Sequence, residues 1–92
     1  MAIEVRIPTI LRTYTEGEKA VTADGATLAD LLDDLEARHT GLQARLIDQG
    51  KLRRFVNVYL NDEDVRFLDG LSTPVKDGDV VTVLPAVAGG AR

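Results

Sequence analysis

Apolar and polar residues alternate from Ile3 to Ile7. Ile3, Val5 and Ile7 point one way, Glu4 and Arg6 the other, which is the period of a half-buried strand. Pro8 ends its regular pairing. The polar stretch RTYTEGEK (12–19) predicts a turn or open loop, and KAVTA (19–23) a second short strand in a hairpin with the first. Asp24-Gly25 is a turn signal. The period then becomes helical: Leu28, Leu31, Leu32 and Leu35 form one apolar stripe, with Asp30, Asp33, Asp34 and Glu36 on the opposite face. Thr27 and Asp30 resemble a capping box, with Asp in place of the usual Glu or Gln. Arg38 and His39 suit the negative end of the helix dipole, and Gly41 is the stop.

LQARLID (42–48) predicts a short second helix, and QGKLRR (49–54) a loop. Alternation returns in FVNVYLN (55–61). Asn57 marks its own side as the outer one, so Val56, Val58 and Leu60 face the core while Phe55, Asn57 and Tyr59 face away. DEDVRFLDG (62–70) reads as a turn with a short strand around Val65–Phe67, and LSTPVKDGD (71–79) as irregular. VVTVL (80–84) is the last strand, with Val81 and Val83 inward and Leu84 outward. The order is β-β-α-β-(β)-β, without repeats, linkers or a second domain. One helix can cover one face of a small sheet, and the helical connection lets first and last strands lie parallel at its centre. The expected fold is α+β, a β-grasp (ubiquitin-like) arrangement: a mixed sheet of four to five strands with one main helix on one face. Residues 1–85 form the domain and 86–92 a flexible tail.

Composition narrows the chemistry. A chain of 92 residues supports one core and no deep enclosed active site. The formal charge of −4 disfavours nucleic acid as a partner and fits a basic protein surface better. The chain has no cysteine, which excludes disulfides, thiolate catalysis and cysteine-held metals, and fits a reducing cytoplasm. Neither a signal peptide nor an apolar run long enough to span a membrane is present. His39, the one histidine, reads as a solvated or dipole-compensating residue at a helix end. Ser72 has no nucleophile-type context. NDED (61–64) lacks the spacing and closing Glu of a calcium loop, so no metal site is expected. Arg53-Arg54 is too small for a nucleic-acid patch; it flanks a strand or meets an acidic partner.

Attention therefore shifts to the end, AVAGGAR (86–92). Extended, these seven residues reach about 23–25 Å. Gly89 and Gly90 lack Cβ atoms, so their backbone fits a slot little wider than the chain. Such a slot lets another enzyme convert a terminal carboxylate to an acyl-adenylate while excluding the water that would hydrolyse it. An idle tail has the same composition.

The segment VNVYLNDEDVRFLDGLSTPVKDGDVVTVLPAVAGG (56–90) resembles the C-terminal half of the sulfur-carrier proteins of the ThiS/MoaD group. KDGD, VVTVLP and AVAGG stand in that group's order and spacing. IPTILRTYTEGEKAV (7–21) and ATLADLLDDLEARHTGLQARLID (26–48) are similar to its CysO-type branch, used in thiocarboxylate-dependent cysteine synthesis. The resemblance implies that Gly90 carries the carboxylate that is adenylated and becomes a thiocarboxylate, with Gly89 the slim residue before it. The chain would then be a carrier rather than an enzyme, binding no cofactor. ATP would be consumed by an activating E1-like partner of the MoeB/ThiF/MoeZ type. Pyridoxal phosphate would belong to a partner cysteine synthase, and zinc to a JAMM-type metalloprotease that releases the cysteinyl adduct.

Ala91 and Arg92 depart from the group's usual end, because they tie the Gly90 acyl group into a peptide bond. The extended chain reads as a precursor from which a protease, expected to be the same metalloprotease, removes Ala91-Arg92. Phe55, Tyr59 and Leu84, outward apolar residues near the tail root, are candidate docking residues for the activating enzyme, or they pack on loops. The small subunit of a molybdopterin synthase, a ubiquitin-like modifier conjugated to lysines, and a β-grasp interaction domain with an idle tail are the other readings of the pattern.

Overall fold

The computed structural model describes residues 3–54 and 56–85. The strands are β1 (Ile3–Arg6), β2 (Ala20–Ala23), β3 (Ile47–Asp48), β4 (Lys51–Leu52), β5 (Val56–Leu60), β6 (Glu63–Asp64) and β7 (Val80–Pro85). The helices are α1 (Leu28–Arg38) and α2 (Gln43–Leu46). The main sheet has five strands in the order β2-β1-β7-β5-β6, and β3-β4 form a separate hairpin. β1 and β7 are central and parallel, with Val5 opposite Val81; the other pairings in the sheet are antiparallel. This is the mixed sheet with one main helix that the apolar periods predict.

The core lies between that sheet and α1. Leu28, Leu31, Leu32 and Leu35 are fully buried, as are Val5, Val58 and Val81, with Ile3 and Val83 nearly so. Fully burying each such side chain contributes about 1.5–3 kcal/mol. Thr27 caps α1 by accepting the Asp30 amide at 3.3 Å. The Asp34 carboxylate ties the helix to the end of β2. It accepts the Asp24 backbone N–H at 2.8 Å and Nε of Arg38 at 2.8 Å, so its pKa lies below the usual carboxylate range. Gly25 is needed for space: a Cβ there would lie 2.8 Å from Cα of Leu31.

Three sequence expectations are corrected. The stretch read as a turn or open loop (12–19) is in its first half part of a 3₁₀ helix, Thr9–Thr15, because Leu11 and Thr15 are buried and the Thr15 hydroxyl sits between the carbonyls of Arg12 and Glu18; Glu16 and Gly17 form the turn. The loop expected over 49–54 contains β4. Gln49 (φ 55°) and Gly50 (φ 77°) both take the positive φ that a two-residue hairpin turn demands. The strand expected at Val65–Phe67 is a 3₁₀ turn, because the Asp64 carboxylate caps it by accepting the Arg66 amide at 2.9 Å; β6 precedes it. The Glu36 carboxylate accepts the amides of Gly41 and Gln43 and joins α1 to α2.

Candidate functional site

β7 is the last described element, and its end is the root of the tail. It is held from both sides, by β1 over Val80–Thr82 and by β5 over Val81–Pro85. Alternation along β7 puts Val81 and Val83 in the core and Leu84 outward, 45% exposed. Leu84 lies opposite Asn57, and Tyr59 opposite Thr82. Leu84 and Tyr59 are therefore diagonal neighbours on the face turned away from α1, as the sequence pattern predicts. Tyr59 is half-buried. Phe55, Gly89, Gly90, Ala91 and Arg92 lie outside the described residues.

The structure adds residues that sequence reasoning missed, and beside them Arg53, which the sequence had offered for an acidic partner. Ile10, 67% exposed, lines two open grooves that share Pro8, Val83, Leu84 and Pro85. The first groove, about 530 Å³, also takes in Arg6, Arg12 and Lys19. The second, about 360 Å³, takes in Tyr14, Arg45 and Arg53. Arg45 donates from Nε to the Tyr14 hydroxyl at 2.7 Å, with its guanidinium 5.6 Å from the ring centroid. Arg12 donates from Nε to the Ile7 carbonyl at 3.1 Å, and Arg53 to the Ala44 carbonyl at 2.9 Å. Arg6 pairs with Glu4 at 2.9 Å on the open face, and that hydrogen bond raises its pKa further. An overall charge of −4 thus hides a locally basic surface around the tail root. A sign in the sequence was available: residues 6–19 hold three cations, Arg6, Arg12 and Lys19, and the fold brings all three to the first groove.

Among the described residues, no group of three or more His, Asp or Glu is placed to hold a metal ion, and no helix is long and apolar enough to cross a membrane. His39 caps α1, its amide bonded to the Leu35 carbonyl at 2.7 Å. Asn61 and Asp79, from the acidic turn and the KDGD turn, clasp each other at 3.0 Å; Asp79 also accepts the Lys76 amide. That arrangement ties the two turns together.

The family model for the ThiS family matches residues 5–90. A sulfur carrier protein CysO of Mycobacterium tuberculosis (strain ATCC 25618 / H37Rv) is 58% identical, over 98% of this chain and 100% of its own. A small archaeal modifier protein 3 of Haloferax volcanii is 42% identical over 98% of this chain and 100% of its own. In a crystal structure of an Amycolatopsis orientalis BexX/CysO complex, the matched chain superimposes with a TM-score of 0.92 at 63% identity, covering 97% of this chain and 100% of that one. A family match over nearly the whole length, up to Gly89-Gly90, joined to the ubiquitin-like β-grasp sheet, places this chain in the ThiS family.

Proposed function

We propose that this chain is a sulfur carrier whose working atom is the carboxyl carbon of Gly90. The observation that carries the reading is that the family match runs to residue 90 and stops there, leaving Ala91 and Arg92 beyond it. The likeness to CysO proteins supports cysteine formation as the destination of the sulfur.

The chemistry follows from the group involved. Hydrolysis of the Gly90–Ala91 bond first frees the carboxylate. That carboxylate attacks the α-phosphorus of ATP in an E1-like partner, releasing pyrophosphate and leaving an acyl-adenylate. A sulfide donor then attacks the acyl carbon and AMP departs, giving the thiocarboxylate. In a partner synthase with pyridoxal phosphate, the terminal sulfur would bond to the β-carbon of an activated serine as its activating group leaves, giving a cysteinyl adduct on Gly90; a zinc metalloprotease would then hydrolyse that adduct, freeing cysteine and the Gly90 carboxylate. This chain supplies the acyl group and a surface for docking, while its partners supply the catalytic groups. Gly90 lies five residues beyond Pro85, an extended reach of about 17 Å, so a partner can work on it while gripping the domain. Soluble cytoplasmic partners using ATP fit a cytoplasmic carrier.

Mass spectrometry of the protein from its native cells tests this. The expected species ends at Gly90 and is heavier by the exchange of one oxygen for sulfur. Protein found entirely with Ala91-Arg92 attached, through growth on limiting cysteine, overturns it. The likeness to an archaeal modifier favours conjugation to lysines as the second reading. Denaturing blots showing covalent ladders, lost with Gly90→Ala, would support that destination.

A further inference from the structure

We infer that the two grooves flanking the tail root form one cationic saddle that docks on an acidic, apolar-centred surface of the adenylating enzyme around its tail slot. This rests on the proposed activation of Gly90 and adds the chemistry of the surface that recognises the carrier.

Three observations carry it. First, charge is segregated against the net balance. Arg6, Arg12 and Lys19 line one groove, Arg45 and Arg53 the other, and among the described residues Glu4 is the one carboxylate lining either. Second, Glu4 is taken up by Arg6, whereas Arg12, Arg45 and Arg53 are oriented through Nε by uncharged oxygens. Among the described residues, no carboxylate forms an ion pair with these three. Their charge is fixed in place and left for a partner. Third, the saddle has the anatomy of an interface, with Ile10 and Leu84 exposed at its middle, Pro8 and Pro85 beside them, and cations around the rim. The saddle and the reacting glycine are joined by a few residues of chain, so an enzyme that takes the tail meets it. A rim of this kind steers encounter and fixes orientation more than it adds contact energy.

The test compares two substitutions of equal charge change on carrier ending at Gly90. Lys19 lies on the rim, and its side chain makes no hydrogen bond among those described; Lys76 lies in the turn before β7, at the strand's other end. ATP–pyrophosphate exchange by a cognate ThiF/MoeB-type enzyme is measured at low and high salt. Lys19→Glu is expected to lower kcat/KM about 3- to 10-fold at low salt through KM, with kcat kept. The defect shrinks as salt screens it. Lys76→Glu, with the same net charge, leaves kcat/KM within about twofold. Arg12→Gln is expected to add to the Lys19→Glu defect, and circular dichroism checks that each variant is folded. Equal effects of Lys19→Glu and Lys76→Glu, or none from either, overturn the saddle while leaving Gly90 activation standing. Absence of exchange with the unsubstituted carrier overturns the activation reading itself.

Discussion

Arg66 donates from Nη1 to Oδ1 of Asn57 at 2.8 Å, and Asn57 is the cross-strand partner of Leu84. Nη2 of the same guanidinium reaches the carbonyls of Arg53 and Val56, at 2.9 and 2.5 Å. One planar side chain thus fixes the start of β5, the strand that holds the last residues of β7. A lysine ammonium cannot reproduce that fork. Both Arg66→Ala and Arg66→Lys are expected to lower unfolding free energy by about 1–2 kcal/mol. Amide exchange should quicken at Val83 and Leu84, far along the chain from the substitution. Protection in Arg66→Lys equal to that of the parent chain would show that the fork is not what holds the tail root.

Leu84 and Val83 are neighbours in sequence on opposite faces, 45% and 1% exposed. Their substitutions should separate docking from folding. Leu84→Asp is expected to leave the unfolding midpoint nearly unchanged and to cut kcat/KM for adenylation about tenfold. Val83→Ala is expected to cost about 1–3 kcal/mol of stability, a loss that Leu84→Asp should not show. Unaltered adenylation by folded Leu84→Asp would remove Leu84 from the docking surface.

Gly25→Ala puts a methyl against the backbone of Leu31, which α1 can relieve only by shifting off the sheet. A loss of about 1–3 kcal/mol in urea unfolding is expected. An unchanged midpoint would mean that the β2–α1 connection yields more readily than its packing indicates.

Asp34 gives the fold a dependence on acid. The Asp24 amide, and then Arg38, hold its carboxyl below the ordinary value near 3.9. A carboxyl lowered in the folded state stabilises above its unfolded pKa, and the contribution is lost as pH falls through the folded value. Asp34→Asn should therefore be less stable than the parent at pH 7, with the gap narrowing as the carboxyl is protonated in acid, below its ordinary value. Denaturant titrations at neutral pH and in that acid range check this; a gap that is the same in both would rule out the ionised carboxylate as its source.

β1, α1, β5 and β7 are legible in the sequence because each buries one clean face, so periodicity and burial coincide. The 3₁₀ helix Thr9–Thr15 is not legible in this way: one of its two buried residues is Thr15, a polar side chain satisfied by backbone carbonyls. The β3–β4 hairpin has two-residue strands, too short for any period, and its Gln-Gly turn is a weaker signal than Asn-Gly. Leu84 could be placed from alternation along one strand. The rest of the saddle could not, because Tyr14 and Arg45 meet across 31 positions of chain and Ile10 is brought beside Leu84 only when the 3₁₀ helix packs.

The pairing of β7 with a parallel strand on one side and an antiparallel one on the other has a mechanical consequence. Tension applied to the final glycines runs along the axis of β7, so the hydrogen bonds to β1 and β5 are loaded together in shear instead of being peeled apart in turn. An enzyme can draw the end of the chain deep into a narrow channel, and the pull is borne by the centre of the sheet.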